Sequence, residues 1–125
     1  MQNQVKSSEP EIKYRAFYFS LKVIRFLETL EYRQAIKIIG NQLIRSVTSV
    51  GANIVEAKGS SSKREFLKFF QIALKSSYET KYWLAMLKEL LPKHEENLEK
   101  LLSEADEISK IISSSVLTMK GKRRL

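Results

Sequence analysis

The stretch 45-RSVTSVGANIVEA-57 decides the fold, because it combines the apolar period of a helix with small and polar residues. At about 3.6 residues per turn, Val47, Val50 and Ile54 lie on one face and indicate a buried core stripe. Gly51 lies at the edge of the apolar arc and predicts a place where another backbone comes near. A second, polar row borders the core stripe and consists of Ser46, Ser49, Asn53 and Glu56.

This polar row has two interpretations. Its side chains can be hydrogen-bonded groups inside a bundle or a subunit interface, where water is scarce and polar groups pair with each other. Alternatively, the row contacts a ligand or a nucleic acid. We favour the first interpretation. Three residues of a later helix are further candidates for the same interface, although Trp83 also fits a core position: Glu79, Tyr82 and Trp83.

Four helical segments are predicted in a single domain of 125 residues, because Gly and Pro are scarce and the apolar period is helical. The third begins at a capping box of Ser62 and Glu65 and ends before Pro92. Apolar spacings of four and three in the last two helices are typical of a four-helix bundle, so the fold class is all-α. Short connections predict antiparallel neighbours. The helices span about residues 11–30, 33–57, 63–91 and 94–119, and a flexible tail follows at 120–125.

The first three helices carry more apolar surface than a single core requires. In the first, Phe17, Leu21 and Ile24 form a stripe beside the one that contains Phe19 and Val23. An apolar arc this broad predicts burial on two sides, one in the core and one against another subunit. Beyond the main stripe of the second helix lie Gly40, Ile44, Gly51 and Val55. In the third, the residues beside the main seam are Phe66, Phe70, Ser77, Leu84 and Leu91.

The composition excludes several classes of protein. Cysteine is absent, which excludes a disulfide framework and thiol catalysis. The start of the chain lacks the apolar segment of a signal peptide, and no apolar run reaches the roughly 20 residues of a membrane span. We therefore expect a cytoplasmic protein without membrane contact. A net charge of +8 and a pI of about 9.7 favour an anionic partner or charge-matched self-association.

Basic side chains recur on one face of each of the first three helices. Tyr18 and Tyr82 interleave with them, and such stripes suit phosphate contact combined with base stacking. The same residues also suit the solvated back of an amphipathic helix, or pairing with the acidic fourth helix of a neighbouring subunit. The candidate nucleic-acid contacts are Arg15, Lys22 and Arg25; Arg33, Lys37 and Arg45; Arg64, Lys68 and Lys75; and Lys122, Arg123 and Arg124 in the tail.

Side chains suited to catalysis are scarce. The one histidine, His94, follows Pro92 in a turn, and the chain has no His/Cys set for a metal and no Gly-rich phosphate loop. Glu56 and Glu79 lie on neighbouring helices and can approach each other as an acid–base pair. The commoner role of such residues is to accept hydrogen bonds or to pair with a cation. We therefore expect no catalytic residue, no metal and no cofactor.

Residues 42–57 and 60–90 together resemble a bacterial family of four-helix-bundle proteins first noticed as reading frames within 23S rRNA intervening sequences. The resemblance extends over about residues 16–91. Val55 stands where the family often has a second acidic residue, which puts in doubt any function that needs two adjacent carboxylates. The matching residues are Arg45, Ser46, Thr48, Ser49, Ala52, Asn53, Ile54, Glu56, Ala57, Ser62, Phe66, Ile72, Ala73, Lys75, Glu79, Thr80, Tyr82, Trp83 and Leu84.

The resemblance implies a left-handed, up-and-down antiparallel four-helix bundle that assembles into a ring-like homo-oligomer, a pentamer. It also implies kinship with the accessory variability protein of diversity-generating retroelements, a basic bundle that binds reverse transcriptase and nucleic acid. RNA, DNA or a protein such as a reverse transcriptase are therefore candidate partners, beside the chain itself. We predict a non-enzymatic, self-associating protein that is nucleic-acid-associated or a scaffold. The alternative is a purely structural or protein-interaction module without nucleic-acid contact.

Overall fold

The computed structural model describes residues 11–124, and side chains up to residue 121. All regular structure in this range is helical, in four long helices and one short 3₁₀ turn at Pro92–His94. The prediction of an all-α four-helix bundle is confirmed, while its handedness stays a prediction. The helices are α1 (Ile12–Glu28), α2 (Gln34–Lys58), α3 (Lys63–Leu90) and α4 (Glu95–Arg124).

The capping box at the start of α3 forms as the sequence indicates, with a shift of one residue. The backbone N–H of Glu65 donates to the Ser62 hydroxyl at 3.1 Å. The Glu65 carboxylate in turn accepts from the N–H of Ser61 at 3.3 Å. These two bonds satisfy donors that a helix start otherwise leaves without partners, and they fix the direction in which α3 leaves the loop.

The last helix is longer than predicted. We expected α4 to end at about residue 119, whereas it continues to Arg124 and includes Gly121. A glycine inside a helix costs only about 1 kcal/mol, and no proline interrupts this segment. Basic residues in a last turn also interact favourably with the partial negative charge of a helix C-terminus. The flexibility that we predicted for residues 120–125 stays a prediction.

Cross-helix contacts show that neighbouring helices run antiparallel. Between α1 and α2, Ser20 bonds to the Val47 carbonyl, and Gly51 lies against Ala16. Between α3 and α4, the ion pairs are Lys81–Asp106 and Lys88–Glu99, so the residue number rises along α3 while that of its partner falls along α4. The core enclosed by the four helices contains fully buried side chains from each of them, among which are Val23, Leu43, Ile54, Leu84, Leu87, Leu98, Ile108 and Ile112.

Gly51 is indeed a point of close approach, and the helix that approaches it is α1 of the same chain. A Cβ atom built on Gly51 lies 3.5 Å from the Cβ of Ala16 and 3.8 Å from the Phe17 backbone nitrogen. These are ordinary van der Waals distances, so the site has room for one methyl group. A longer side chain would push α1 away from α2.

We therefore expect Gly51→Ala to raise the free energy of unfolding by about 0.5–1 kcal/mol, because alanine has the higher helix propensity and its methyl group fits. Gly51→Leu should lower it by about 1–3 kcal/mol through overpacking against α1. Chemical denaturation of both variants checks this. Gly121→Ala is the control, since a Cβ there meets no atom within 4 Å. Destabilisation by Gly51→Ala would mean that the helices lie closer than described.

Candidate functional site

A set of hydroxyl side chains connects α1, α2, α3 and α4 at the middle of the bundle. Most of them are buried, and Thr80 is only 1% exposed. Because hydroxyls are costly to bury without partners, their hydrogen bonds decide whether the middle of the bundle is a binding site or a structural element. We call this set the hydroxyl belt, which consists of Ser20, Ser46, Ser49, Ser76, Ser77, Thr80 and Ser109.

The α2–α3 contact holds most of the belt. The Thr80 hydroxyl lies 2.8 Å from the Ser76 carbonyl oxygen and 3.0 Å from Ser46 Oγ. One turn away, the hydroxyls of Ser49 and Ser76 are 2.8 Å apart. The Asn53 amide donates to the Ser49 carbonyl at 2.8 Å and to its hydroxyl at 3.0 Å. Of the predicted polar row, Ser46 and Ser49 thus lie at the contact between α2 and α3 of one chain, Asn53 bonds back to Ser49 within α2, and Glu56 is exposed.

The remaining belt residues connect the outer pairs of helices. Ser20 on α1 donates to the Val47 carbonyl of α2 at 3.1 Å. Ser109 on α4 donates to Ser77 on α3 at 2.8 Å, and Ser77 donates to the Leu74 carbonyl. Among the described residues, every buried side-chain nitrogen or oxygen has a hydrogen-bond partner. The belt therefore offers no free polar group to a ligand and acts as internal structure.

The helix register separates Glu56 from Glu79, contrary to the expectation that they can approach each other. Thr80 lies opposite Ser46, so Glu79 is about ten residues, or about 15 Å, further along the bundle than Glu56. Glu79 accepts a hydrogen bond from Trp83 Nε1 at 3.3 Å, and Glu56 is exposed. Tyr82 is 58% exposed, and its ring meets that of Trp83 edge-on at 5.0 Å. Glu56 and Glu79 therefore do not form an acid–base pair.

Acidic residues of α4 pair with basic residues of α1 and α3 in the same chain. Salt bridges join Arg15 to Glu107 and Lys22 to Glu104, both at 2.9 Å. On the other side, Lys81–Asp106 and Lys88–Glu99 are both 3.1 Å long. Two candidate nucleic-acid contacts, Arg15 and Lys22, are thus partly neutralised within the chain.

These ion pairs change the protonation equilibria of two of their members. Hydrogen bonds from Lys110 and Lys81 hold the pKa of the Asp106 carboxyl below its usual value. The hydrogen bond to Glu99 raises the pKa of the Lys88 ammonium. Both side chains keep part of their surface in solvent, 25% for Lys88 and 46% for Asp106, so the pairs orient α4 more than they stabilise it.

The other candidate cations point into solvent. Seven of them are exposed, and none makes a salt bridge within residues 11–121. The side chains of Lys122, Arg123 and Arg124 lie outside the described part of the structure, although their backbone belongs to α4. The seven exposed cations are Arg25, Arg33, Lys37, Arg45, Arg64, Lys68 and Lys75.

Two further exposed cations, Lys58 and Lys63, lie close to Arg64 and were not among the candidates. They flank the loop between α2 and α3 and belong to no stripe along a single helix. A sequence pattern of basic residues on one face of a helix therefore does not identify Lys58 and Lys63. The signal that identifies them is their position at adjacent helix ends.

The surplus apolar stripes of α1 and α2 meet on the outside of the bundle. Phe17 is 56% exposed and Val55 is 58% exposed, whereas Phe19 and Val23 in the neighbouring stripe of α1 are buried in the core. Gly51, which contacts α1, brings the two outer stripes together. We call this exposed and half-exposed region the α1–α2 apolar surface, which consists of Tyr14, Phe17, Leu21, Ile24, Ile44 and Val55.

Other kinds of site have little support in the described residues. No group of three or more His, Asp or Glu side chains is placed to hold a metal ion within residues 11–121. His94 packs edge-on against the Phe26 ring, with 5.5 Å between the ring centroids. None of the four helices, over the range that the structure describes, has the length and hydropathy needed to cross a membrane.

Comparisons with known proteins agree with the resemblance noted in the sequence. The family model described as 23S rRNA-intervening sequence protein matches residues 9–114. Among solved structures, the chain is similar to a protein with unknown function from the S23 ribosomal protein family of Bacteroides thetaiotaomicron. The two chains are 31% identical with a TM-score of 0.78, and the match covers 85% of this chain and 98% of that one. A search of the curated proteins gives no significant match.

If the hydroxyl belt is structural, removing one of its groups should change stability. We expect Thr80→Val to lower the free energy of unfolding by about 1 kcal/mol, because a buried hydrogen bond is removed at nearly constant volume. Thr48→Val is the matched control, since Thr48 is exposed and bonds only within its own helix. Its effect should stay within about 0.5 kcal/mol. Urea denaturation measures both, and equal effects would contradict a structural role for the belt.

Proposed function

The chain belongs to the family of 23S rRNA-intervening sequence proteins, and from this premise we propose that it is a non-enzymatic, self-associating bundle that binds the nucleic-acid backbone. The observation that carries the proposal is the set of seven exposed cations without acidic partners among the described residues. The internal ion pairs of α4 engage other basic residues and leave these seven available. Such cations release counterions when they bind phosphates, which favours association.

Binding should involve the backbone rather than base edges. The exposed cations lie on the outer faces of the helices, and the sequence has no recognised base-reading module. Tyr18 and Tyr82, 59% and 58% exposed, are available for stacking on unpaired bases. Each contact is weak, and several copies in one assembly multiply the contacts and raise the overall affinity.

The α1–α2 apolar surface supports self-association. Monomeric proteins rarely expose contiguous apolar patches of large side chains, and such patches commonly mark interfaces. A second copy of the chain is the occupant that we propose for this surface. The pentameric ring, and a protein partner such as a reverse transcriptase, are the finer parts of this proposal and rest on the family resemblance.

Three observations support a non-enzymatic role. The two carboxylates that approach each other in the sequence-based hypothesis are far apart along the bundle. His94 contacts an aromatic ring rather than an acid or a nucleophile. The buried polar side chains of residues 11–121 are paired with each other or with carbonyls.

A second candidate is a protein-interaction module without nucleic-acid contact. It is favoured by Tyr78 and Tyr82, which expose 50% and 58% of their surface on the outer face of α3. Exposed tyrosines are common in protein interfaces. Salt dependence separates the two candidates, because contacts between neutral side chains release no counterions.

We expect the protein to bind both a short duplex DNA and a structured RNA hairpin, with affinity that falls steeply as salt rises. A footprint of about four phosphates predicts that affinity falls about 10²-fold between about 50 and 200 mM salt. Fluorescence anisotropy of nuclease-treated protein measures this, and labelled polyglutamate is the control for unspecific charge binding. Absence of binding at low salt would exclude nucleic acid and leave the protein-interaction module.

Self-association is tested by a charge placed on the α1–α2 apolar surface. Phe17→Glu should lower the mass of the assembly, because a carboxylate cannot be buried against a second copy without a partner. Tyr32→Glu is the matched control, since Tyr32 is 74% exposed and lies outside this surface. Light scattering after gel filtration gives the masses. A wild-type monomer, or equal masses for both variants and the wild type, would contradict the proposed interface.

A further inference from the structure

The positive charge of the protein is concentrated at one end of the bundle. At this end α1 begins, α2 finishes, α3 begins and α4 finishes. The ion pairs Lys88–Glu99 and Lys81–Asp106 define the antiparallel register, and continuing that register places the first turns of α3 beside the last turns of α4. We call residues 56–68 together with residues 118–124 the basic pole.

The basic pole contains eight basic and two acidic residues, so it carries six of the eight net charges of the chain. The opposite end, formed by residues 25–37 and 88–100, contains six basic and six acidic residues and is balanced. Three of the exposed candidate cations, Arg25, Arg33 and Lys37, lie at this balanced end. The field of the protein is therefore strongest around the pole.

We infer that the nucleic-acid backbone binds end-on at the basic pole, rather than along the sides of the bundle. This inference rests on the proposed function and assigns its binding site. Five described side chains of the pole are exposed and make no salt bridge within residues 11–121, and the last turn of α4 adds further basic residues in sequence. The five are Lys58, Lys63, Arg64, Lys68 and Lys120.

The helix ends themselves do not supply this site. The uncapped first turn of α1 begins about level with Val55, and therefore outside the pole, as the α1–α2 contacts Ala16–Gly51 and Ser20–Val47 show. The start of α3 is already capped, because Ser62 accepts from the Glu65 N–H and the Glu65 carboxylate accepts from the Ser61 N–H. α2 and α4 present their C-termini here, which carry partial negative charge and repel an anion. The side-chain cations must therefore provide the attraction. Their mutual repulsion in the free protein is relieved when phosphates bind between them.

The pole is better suited to a nucleic acid than to an anionic membrane. Peripheral membrane binding combines basic residues with apolar side chains that insert between lipids. Of the large apolar side chains in the first turns of α3, Leu67 and Phe70 are 3% and 2% exposed and belong to the core, while Phe66 and Phe69 are partly buried against it. The pole thus offers charge with little apolar surface at the start of α3.

The test compares two variants with the same change in net charge. The pole variant combines Lys58→Gln and Lys63→Gln. The matched control combines Lys93→Gln and Lys100→Gln at the balanced end, where both lysines are also exposed and neither belongs to the seven candidate cations. Circular dichroism and a thermal melt check that both variants fold. A chain ended after Met119 tests the contribution of the last turn of α4 separately.

Anisotropy against duplex DNA should show at least about tenfold weaker binding for the pole variant than for the wild type. Its plot of log affinity against log salt should be shallower by about 0.9 for each phosphate that the variant no longer neutralises. The shortened chain should also bind more weakly, while the control stays within about threefold of the wild type. This pattern supports end-on binding.

Other outcomes overturn specific statements. If the wild type does not bind, the proposed function fails. If the wild type binds and both charge variants lose affinity equally, binding is distributed and the pole is not the site. If phosphatidylserine vesicles bind the wild type as tightly as the DNA does, and the pole variant loses both, a membrane surface replaces nucleic acid as the partner.

Discussion

The hydrogen-bonded contact between α2 and α3 is the constraint on which the rest of the structure depends. Apolar stripes alone allow two helices to slide past each other by a turn, because leucine and valine pack almost equally well in several registers. The hydroxyls of Ser46, Ser49, Ser76 and Thr80 do not have this freedom, since a slip would separate buried polar groups from their partners. A fixed α2–α3 pair then determines where α1 meets Gly51 and where α4 meets the lysines of α3. The arrangement of exposed surfaces follows from this register.

The same register sorts the charges of the chain. α4 carries most of its acidic residues in its first two thirds, where Glu99, Glu104 and Asp106 lie between the basic residues of α1 and α3. The positive charges that remain are those beyond the reach of this acidic segment. These remaining charges lie on the outer faces of α2 and α3 and at the end of the bundle where the sequence of α4 becomes basic. The net charge of +8 is therefore distributed unevenly along the bundle axis, with more positive charge at one end than at the other.

Much of the fold could be predicted from the sequence, since a helical apolar period, the Ser62 cap and Pro92 are local signals. The partners of polar side chains could not, because a period shows which face of a helix is buried but not which helix covers it. Gly51 illustrates this: close approach was predictable, whereas its partner, Ala16 of the same chain, depends on tertiary register. Lys58 and Lys63 were missed for a related reason, since they lie at adjacent helix ends and form no stripe along a single helix. α4 extends beyond the predicted end to Arg124 because a single glycine, Gly121, is not enough to end a helix that no proline interrupts.

α1 is the shortest of the four helices, with 17 residues, and no side chain caps its first turn. It joins α2 through Ser20 and the small residues around Gly51, and it joins α4 through exposed ion pairs. Elements with these properties open first in native-state hydrogen exchange, at a fraction of the cost of unfolding the whole domain. Detachment of α1 would uncover Leu43 and Val47 while the α2–α3 pair stays intact. In the proposed assembly, a second copy that covers the outer side of α1 would close this opening. Folding and assembly would then be thermodynamically linked, and stability would rise with protein concentration.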